Sequence, residues 1–314
     1  MMKRAKEVLI GIVMIWGVVL LISMLQGFNR ERDDSSVAAE EEKQKVLSFS
    51  LPDSVYFAGE RVPLENYDSR ESLDREVNTN AYRHSSTILL IKRAHRYFPV
   101  IEPILKEYGI PDDFKYIALA ESELANVISP ARATGFWQFM PNTAKEYGLE
   151  ISSEVDERYH LEKSTEAACK YFLKAYERFG NWTLVAASYN RGSSGVDRQI
   201  EIQGQKNYYD LLLPEETARY IFRVLSFKVI LSDPENYGFY IPEDHLYPVI
   251  QFEVVEIDSA IVSFADFAAN YGTNYKILKD FNPWLRQPYL TNKHSKRYSI
   301  KIPAEGARTT SYEN

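Results

Sequence analysis

From His84 onward the apolar residues of this chain recur at helical spacing, and they do so for about 150 residues. Such a pattern reads as a compact, mostly helical domain. The breaks fall at Gly and Pro: Gly109-Ile110-Pro111, Gly180, Gly192 and Pro214. The spacing predicts helices from Leu89 to Tyr97 and from Ile101 to Tyr108, and another with Asp112 and Asp113 in its first turn, where negative charge suits the helix dipole. A later helix has Ser164 as N-cap, an apolar set of Ala168, Tyr171, Phe172, Ala175 and Phe179, and Gly180 as its stop. One more runs from Trp182 to Tyr189 and closes at Gly192, and a long one follows Pro214 through Ala218, Ile221, Phe222, Leu225 and Val229. The tail differs: QFEVVEI and YSIKIP read as strands around two short helices, SFADFAANYG and NYKILKDFN. The fold class expected is mainly α, with a small C-terminal α+β module of order βααβ and an N-terminal transmembrane helix.

That last element rests on Lys3, Arg4 and Lys6, followed by an uncharged apolar run from Val8 to Leu25. As a helix the run would span about 27 Å at roughly 1.5 Å per residue, close to the hydrocarbon core of a bilayer. Leu25-Gln26-Gly27-Phe28-Asn29 offers no small-residue cleavage pattern, so an uncleaved anchor is expected, with the N-terminus inside and the bulk of the chain outside. Asn29 to Lys45, charged and poor in large apolar residues, reads as a spacer, and Val46 to Tyr82 as an arm with one helix.

The net charge of −7 argues against a nucleic-acid surface, and Lys92-Arg93-Ala94-His95-Arg96 reads as a solvated helix face. Cys169, the single cysteine, lies in an Ala-rich helical stretch and reads as a small packing residue. No pair of the five histidines has metal-ligand spacing; neither metal nor cofactor is expected.

If Asp112 to Ala125 is one helix, Phe114, Ile117, Ala118, Glu121, Leu124 and Ala125 share a face, which points Glu121 toward the core. Glu123 lies about 200° around at 100° per residue, with Asp112 and Lys115, toward solvent. A carboxyl in apolar surroundings resists ionising and becomes a proton donor near neutrality, which cleavage of a glycosidic bond requires. A buried glutamate satisfied by arginine or backbone donors is the structural alternative.

The residues around Glu121 carry a resemblance. Glu121-Ser122, Ser129-Pro130-Ala131, Ala133, Gly135, Trp137-Gln138-Phe139-Met140-Pro141, Thr143-Ala144, Asp156 with Arg158, Ala167-Ala168, Tyr171, and Tyr189-Asn190 with Gly192 are spaced blocks in one order. They resemble the lytic transglycosylase or goose-type lysozyme family, which acts on bacterial peptidoglycan, nearest to its membrane-bound murein branch. The resemblance spans Leu89 to Asp233. It implies that Glu121 is the single catalytic acid and base, and that Ser129, Gln138, Met140, Tyr189 and Asn190 line the cleft as substrate-binding residues. A Tyr hydroxyl there can fix the acid's orientation, and Trp137 reads equally as core or as sugar platform. Arg132 stands where the family commonly has glycine, so a positive-φ turn there would be strained. His160 stands where the family often has Asp, which affects the start of a helix. Ser263 to Pro303 resembles a LysM sugar-binding module, but with Asp258-Ser259-Ala260-Ile261 in place of its usual Gly-Asp-Thr-Leu turn.

The domain layout expected is an anchor over 1–28, a charged linker and arm over 29–83, a lytic transglycosylase catalytic domain over 84–245 and a LysM-like module over 246–314. The mechanism the resemblance implies needs one carboxyl. Glu121 protonates the bridging oxygen between N-acetylmuramic acid and N-acetylglucosamine, then takes the proton of the muramic 6-hydroxyl as it closes on C1 to give a 1,6-anhydro end. The partners implied are glycan strands and, through the anchor, a bacterial inner membrane, with the catalytic domain facing the periplasm. Two rivals stay open: hydrolysis with Asp156 as second carboxylate, and a peptidoglycan-binding protein that keeps the fold without catalysis.

Overall fold

The computed structural model describes residues 17–18, 20–24 and 46–309. Most of the expected anchor, and the spacer from Asn29 to Lys45, lie outside the described residues. Among the described residues no helix is long and apolar enough to cross a membrane. Residues Phe49–Asn314 group as one compact unit.

That unit starts with a hairpin, β1 (Tyr56–Phe57) and β2 (Glu60–Arg61). Its two-residue turn has Ala58 and Gly59 at φ 51° and 82°, as the twist of a tight hairpin demands. Helix α1 (Tyr67–Tyr82) follows and packs along α8. Phe57, Leu73 and Val77 are fully buried in the main core, so the arm belongs to the helical body. The Glu60 carboxylate also accepts the Trp182 and Thr183 amides at 2.7 and 2.9 Å, satisfying orphan donors at a helix start.

Helix α2 (His84–Glu107) runs unbroken through Pro99 and Pro103, where the sequence predicts two helices. Both prolines are exposed, so the carbonyls that they leave without amide partners lie on the solvent side. The basic run on α2 is not simply solvated. Ala94 is buried, Arg96 donates to the Pro248 carbonyl at 3.0 Å, and Lys92 and Arg96 lie over the Tyr247 ring.

Next come α3 (Lys115–Ser122), α4 (Pro141–Glu146) and α5 (Leu161–Phe179), which starts at Leu161, so Ser164 is a buried first-turn residue and not the cap. Gly180 stops α5 at φ 61°, and α6 (Trp182–Arg191) and α7 (Ser193–Gln203) meet at Gly192. Helix α8 (Glu215–Ser232) begins after Pro214, as the spacing predicts. Cys169 is buried and its thiol is pushed up to about 12 by that burial, which suits a packing residue.

The C-terminal part is β3 (Phe252–Ile257), α9 (Phe264–Asn270), α10 (Tyr275–Phe281) and β4 (Tyr298–Pro303), with β3 antiparallel to β4. Its core of Phe264, Leu278, Trp284, Ile300 and Ile302 also takes in Val155 and Tyr159 from the helical body. Backbone bonds join the two parts: the Asp156 amide donates to the Trp284 carbonyl at 2.9 Å and the Arg286 amide to the Glu154 carbonyl at 2.7 Å.

Candidate active site

Helix α3 is shorter than the expected Asp112 to Ala125 helix. It opens with a single 3-10 turn at Asp112–Phe114 and stops at Ser122, because Glu123 and Leu124 both turn left-handed at φ 53°. The apolar face is nonetheless as predicted: Phe114, Ile117, Ala118 and Leu124 are buried and Glu121 is half-buried beside them. Glu123 turns away to pair with Arg83 at 3.1 Å.

Glu121 is held by Tyr220 on α8, whose hydroxyl donates to Oε1 at 2.5 Å. Burial pushes the Glu121 carboxyl up to about 7, against the Tyr220 hydrogen bond and the positive charge of Arg223, which favour the ionised form. Burial, reinforced by the Glu121 charge, also drives the Tyr189 and Tyr220 hydroxyls well above their usual range. At neutral pH Tyr220 is therefore a fixed donor and Glu121 a group that holds and releases a proton.

The loop that faces this helix end is stitched from below. Ser122, next to the acid, donates its hydroxyl to the Phe136 carbonyl at 2.8 Å, which ties the end of α3 to the loop. Thr134 bridges to both Ile128 and Phe139. Under the loop lies Arg158, buried and paired with Asp156 through Nε and Nη2 at 2.9 and 2.7 Å, while its Nη1 donates to the Arg132 and Phe139 carbonyls at 3.0 and 3.2 Å. Both oxygens of Asp156 are thus taken up by Arg158, which leaves no room for it as a second reacting carboxylate. Gly135, at φ 84°, passes so close that a Cβ there would lie 1.9 Å from the Arg158 carbonyl oxygen. Arg132 is indeed left-handed, at φ 67°, and exposed.

Ser129, Gln138 and Met140 all lie on this loop. Ser129 Oγ accepts the Ala133 amide at 3.0 Å and so closes a turn. Gln138, at φ 49°, donates its side-chain amide to the Gly135 and Val127 carbonyls at 2.8 and 3.1 Å. Met140 is exposed and precedes α4. The Tyr189 hydroxyl donates to the Trp137 carbonyl at 2.7 Å, so it braces the loop; the tyrosine bonded to the acid is Tyr220. Asn190 turns to α8, accepting from Thr217 Oγ1 at 3.0 Å and donating to Glu216 at 3.3 Å. Trp137 is fully buried with Nε1 on Thr165 Oγ1 at 2.9 Å, which makes it core rather than platform. His160 leads into α5 without capping it and is buried against Trp284.

Tyr220 and Arg223 were not legible as site residues. Tyr220 lies 99 positions from Glu121 in an apolar stripe, where a tyrosine reads as core. Beside Glu121, between α1, the end of α3 and α8, is a cavity of about 360 Å³ that Arg83, Arg219 and Arg223 help to line.

Residues 99–212 match the family described as Transglycosylase SLT domain, and residues 253–306 the one described as Soluble lytic transglycosylase C-terminal LysM-like domain. Membrane-bound lytic murein transglycosylase D of Escherichia coli strain K12 is 28% identical over 225 residues, covering 69% of this chain and 48% of that protein, and its counterpart in Escherichia coli O6:H1 gives the same figures. The chain therefore spans about half the length of the curated relatives it matches. The X-ray structure of an inactive mutant of the lytic transglycosylase Slt from Pseudomonas aeruginosa overlaps 48% of this chain and 26% of its own, at 20% identity and a TM-score of 0.35. The chain thus carries a transglycosylase SLT domain, homologous to membrane-bound lytic murein transglycosylase D, followed by a LysM-like domain of the soluble lytic transglycosylase C-terminal type.

Proposed function

We propose that this protein is a peptidoglycan lytic transglycosylase, cleaving the β-1,4 bond between N-acetylmuramic acid and N-acetylglucosamine and leaving 1,6-anhydro ends. The observation that carries the reading is the state of Glu121: a half-buried carboxyl, pushed up to about 7 and oriented by Tyr220. Protonated, it can give its proton to the bridging oxygen as positive charge develops at C1. Ionised, it can take the proton of the tethered 6-hydroxyl, and Tyr220 and Arg223 both favour that second state. One carboxyl suffices for both steps. Asp156 is consumed by Arg158, and Glu216, exposed and accepting from Asn190, acts on Glu121 through its negative charge, which favours the protonated acid. Ser129, Gln138, Met140, Tyr189 and Asn190 supply the walls of the cleft in this reading, with Gln138 and Tyr189 fixing the loop.

The LysM-like module over 246–314 is proposed to hold the same glycan, and the apolar run from Val8 to Leu25 to anchor the chain in the inner membrane with the helical domain in the periplasm. The relative's printed description as membrane-bound supports that placement. The experiment is mass spectrometry of soluble fragments released from purified peptidoglycan by the wild type and by Glu121→Gln. Anhydro-ended fragments from the wild type alone are expected. Reducing ends would replace the reading with hydrolysis, and no release from either would replace it with a glycan-binding role.

A further inference from the structure

The cavity beside Glu121 has an unusual charge pattern. Of the three arginines that line it, Arg83 is paired with Glu123 at 3.1 Å and Arg219 with Glu76 at 2.7 Å. Arg223 is half-buried, and among the described residues its guanidinium has no hydrogen bond and no ion pair. Its charge acts on Glu121 and on the Tyr220 hydroxyl. Partly burying a guanidinium without a hydrogen-bonded partner is unfavourable, and its attraction to Glu121 offsets that only while the acid is ionised. Near an acid that must first be protonated it is doubly unfavourable, since a cation favours the ionised carboxylate. Both costs vanish if an anion arrives with the substrate.

We propose that Arg223 is the anchor of an anion subsite next to Glu121, taking a carboxylate from the muramic-acid side of the substrate, with the Arg83–Glu123 and Arg219–Glu76 pairs as its neutral rim. The guanidinium fork suits a carboxylate bidentately, and the cavity is of the size of small-molecule sites, about 300 Å³ upward. The carboxylate comes either from a peptide attached to the lactyl group or, where that peptide is absent, from the lactyl group itself. Seating it cancels the cation that opposes protonation of Glu121 and adds a negative charge nearby. Substrate binding would thereby ready the acid for the first proton transfer. The proposal rests on the function inferred above and assigns that site a preference for anionic strands.

The test compares the full-length wild type with Arg223→Gln and Arg223→Lys on three preparations: intact peptidoglycan, peptidoglycan with its carboxylates converted to methylamides, and strands stripped of peptide so that the lactyl carboxylate is free. On intact material Arg223→Gln is expected to show a KM about tenfold higher than wild type, the size of one charge-assisted pair. On methylamide material that KM gap should close, with kcat, where the lost charge acts on Glu121, read separately. A tenfold gap on stripped strands assigns the lactyl carboxylate as a ligand; its absence there assigns the peptide's. The same KM ratio of wild type to variant on all three preparations overturns the subsite. If circular dichroism shows Arg223→Gln unfolded, Arg223→Lys, which keeps the charge without the fork, and the wild type's own loss on methylamide material decide. If the wild type cleaves nothing, the function above fails. Co-sedimentation of wild type and Arg223→Lys with the intact and methylamide preparations then judges the subsite alone, with equal binding to both rejecting it.

Discussion

The Tyr220 hydroxyl donates to Glu121 Oε1 at 2.5 Å across 99 positions of sequence. The bond favours the ionised acid, so removing it in Tyr220→Phe raises the Glu121 pKa further. The alkaline limb of the pH–rate profile should move to higher pH, and kcat should fall about tenfold because the acid is no longer oriented. A limb that stays in place, or moves down, would show that Tyr220 neither tunes nor holds Glu121.

The raised carboxyl also sets a stability difference. Glu121 rises from the ordinary value of 4.5 to about 7 in the fold, so the folded state binds the proton more tightly. Its contribution is complete below pH 4.5 and is lost as pH rises through about 7. Glu121→Gln, which cannot ionise, should match the wild type in acid and exceed it by roughly 3 kcal/mol at pH 8. Urea titrations at pH 5 and pH 8 check this; a gap that is constant with pH would mean Glu121 is not held protonated. Wild-type activity should likewise fall above pH 7, about tenfold per unit.

Two positions of the loop should respond in opposite directions. Arg132, left-handed at φ 67°, carries strain of about 1–2 kcal/mol that Arg132→Gly relieves, less about 0.4–1 kcal/mol for the freer unfolded chain. A net gain of about 0.5–1 kcal/mol is expected. Gly135→Ala, whose Cβ would meet the Arg158 carbonyl oxygen at 1.9 Å, should lose more than about 2 kcal/mol and displace the loop. Thermal melts of both variants decide, and a stable Gly135→Ala would contradict the packing of the loop on Arg158.

Val155 and Tyr159 belong to the helical body yet are buried in the core of the LysM-like part, at 1% and 7% exposure. A chain ended at Tyr247 should therefore lose roughly 2–4 kcal/mol of stability from the helical body itself, besides any loss of glycan binding. An unchanged urea midpoint for the truncated chain would show that the two parts fold without each other.

Much of this was legible from local pattern. Gly180, Gly192 and Pro214 end or begin helices where the spacing puts them, because a residue with free φ or no amide acts on its own neighbourhood. The face of Glu121 was legible for the same reason: residues at positions i, i+3 and i+4 share a side of a helix whatever lies opposite. The tail's two strands and two helices follow from alternation and short helical runs.

What lies opposite was decided only by tertiary packing. Tyr220 and Arg223 reach the acid because α3 lies against α8, and a tyrosine in an apolar stripe carries no mark of which carboxyl it will meet. Asp156 reads as a free carboxylate until Arg158 is seen to occupy both its oxygens while holding two carbonyls of the loop. The arm from Val46 to Tyr82 reads as charged, but Phe57, Leu73 and Val77 fill the main core. Periodicity is a property of one element and sets which residues face inward. The hydrogen bonds and charges that make Glu121 a proton donor belong to several elements at once, and only their packing brings them together.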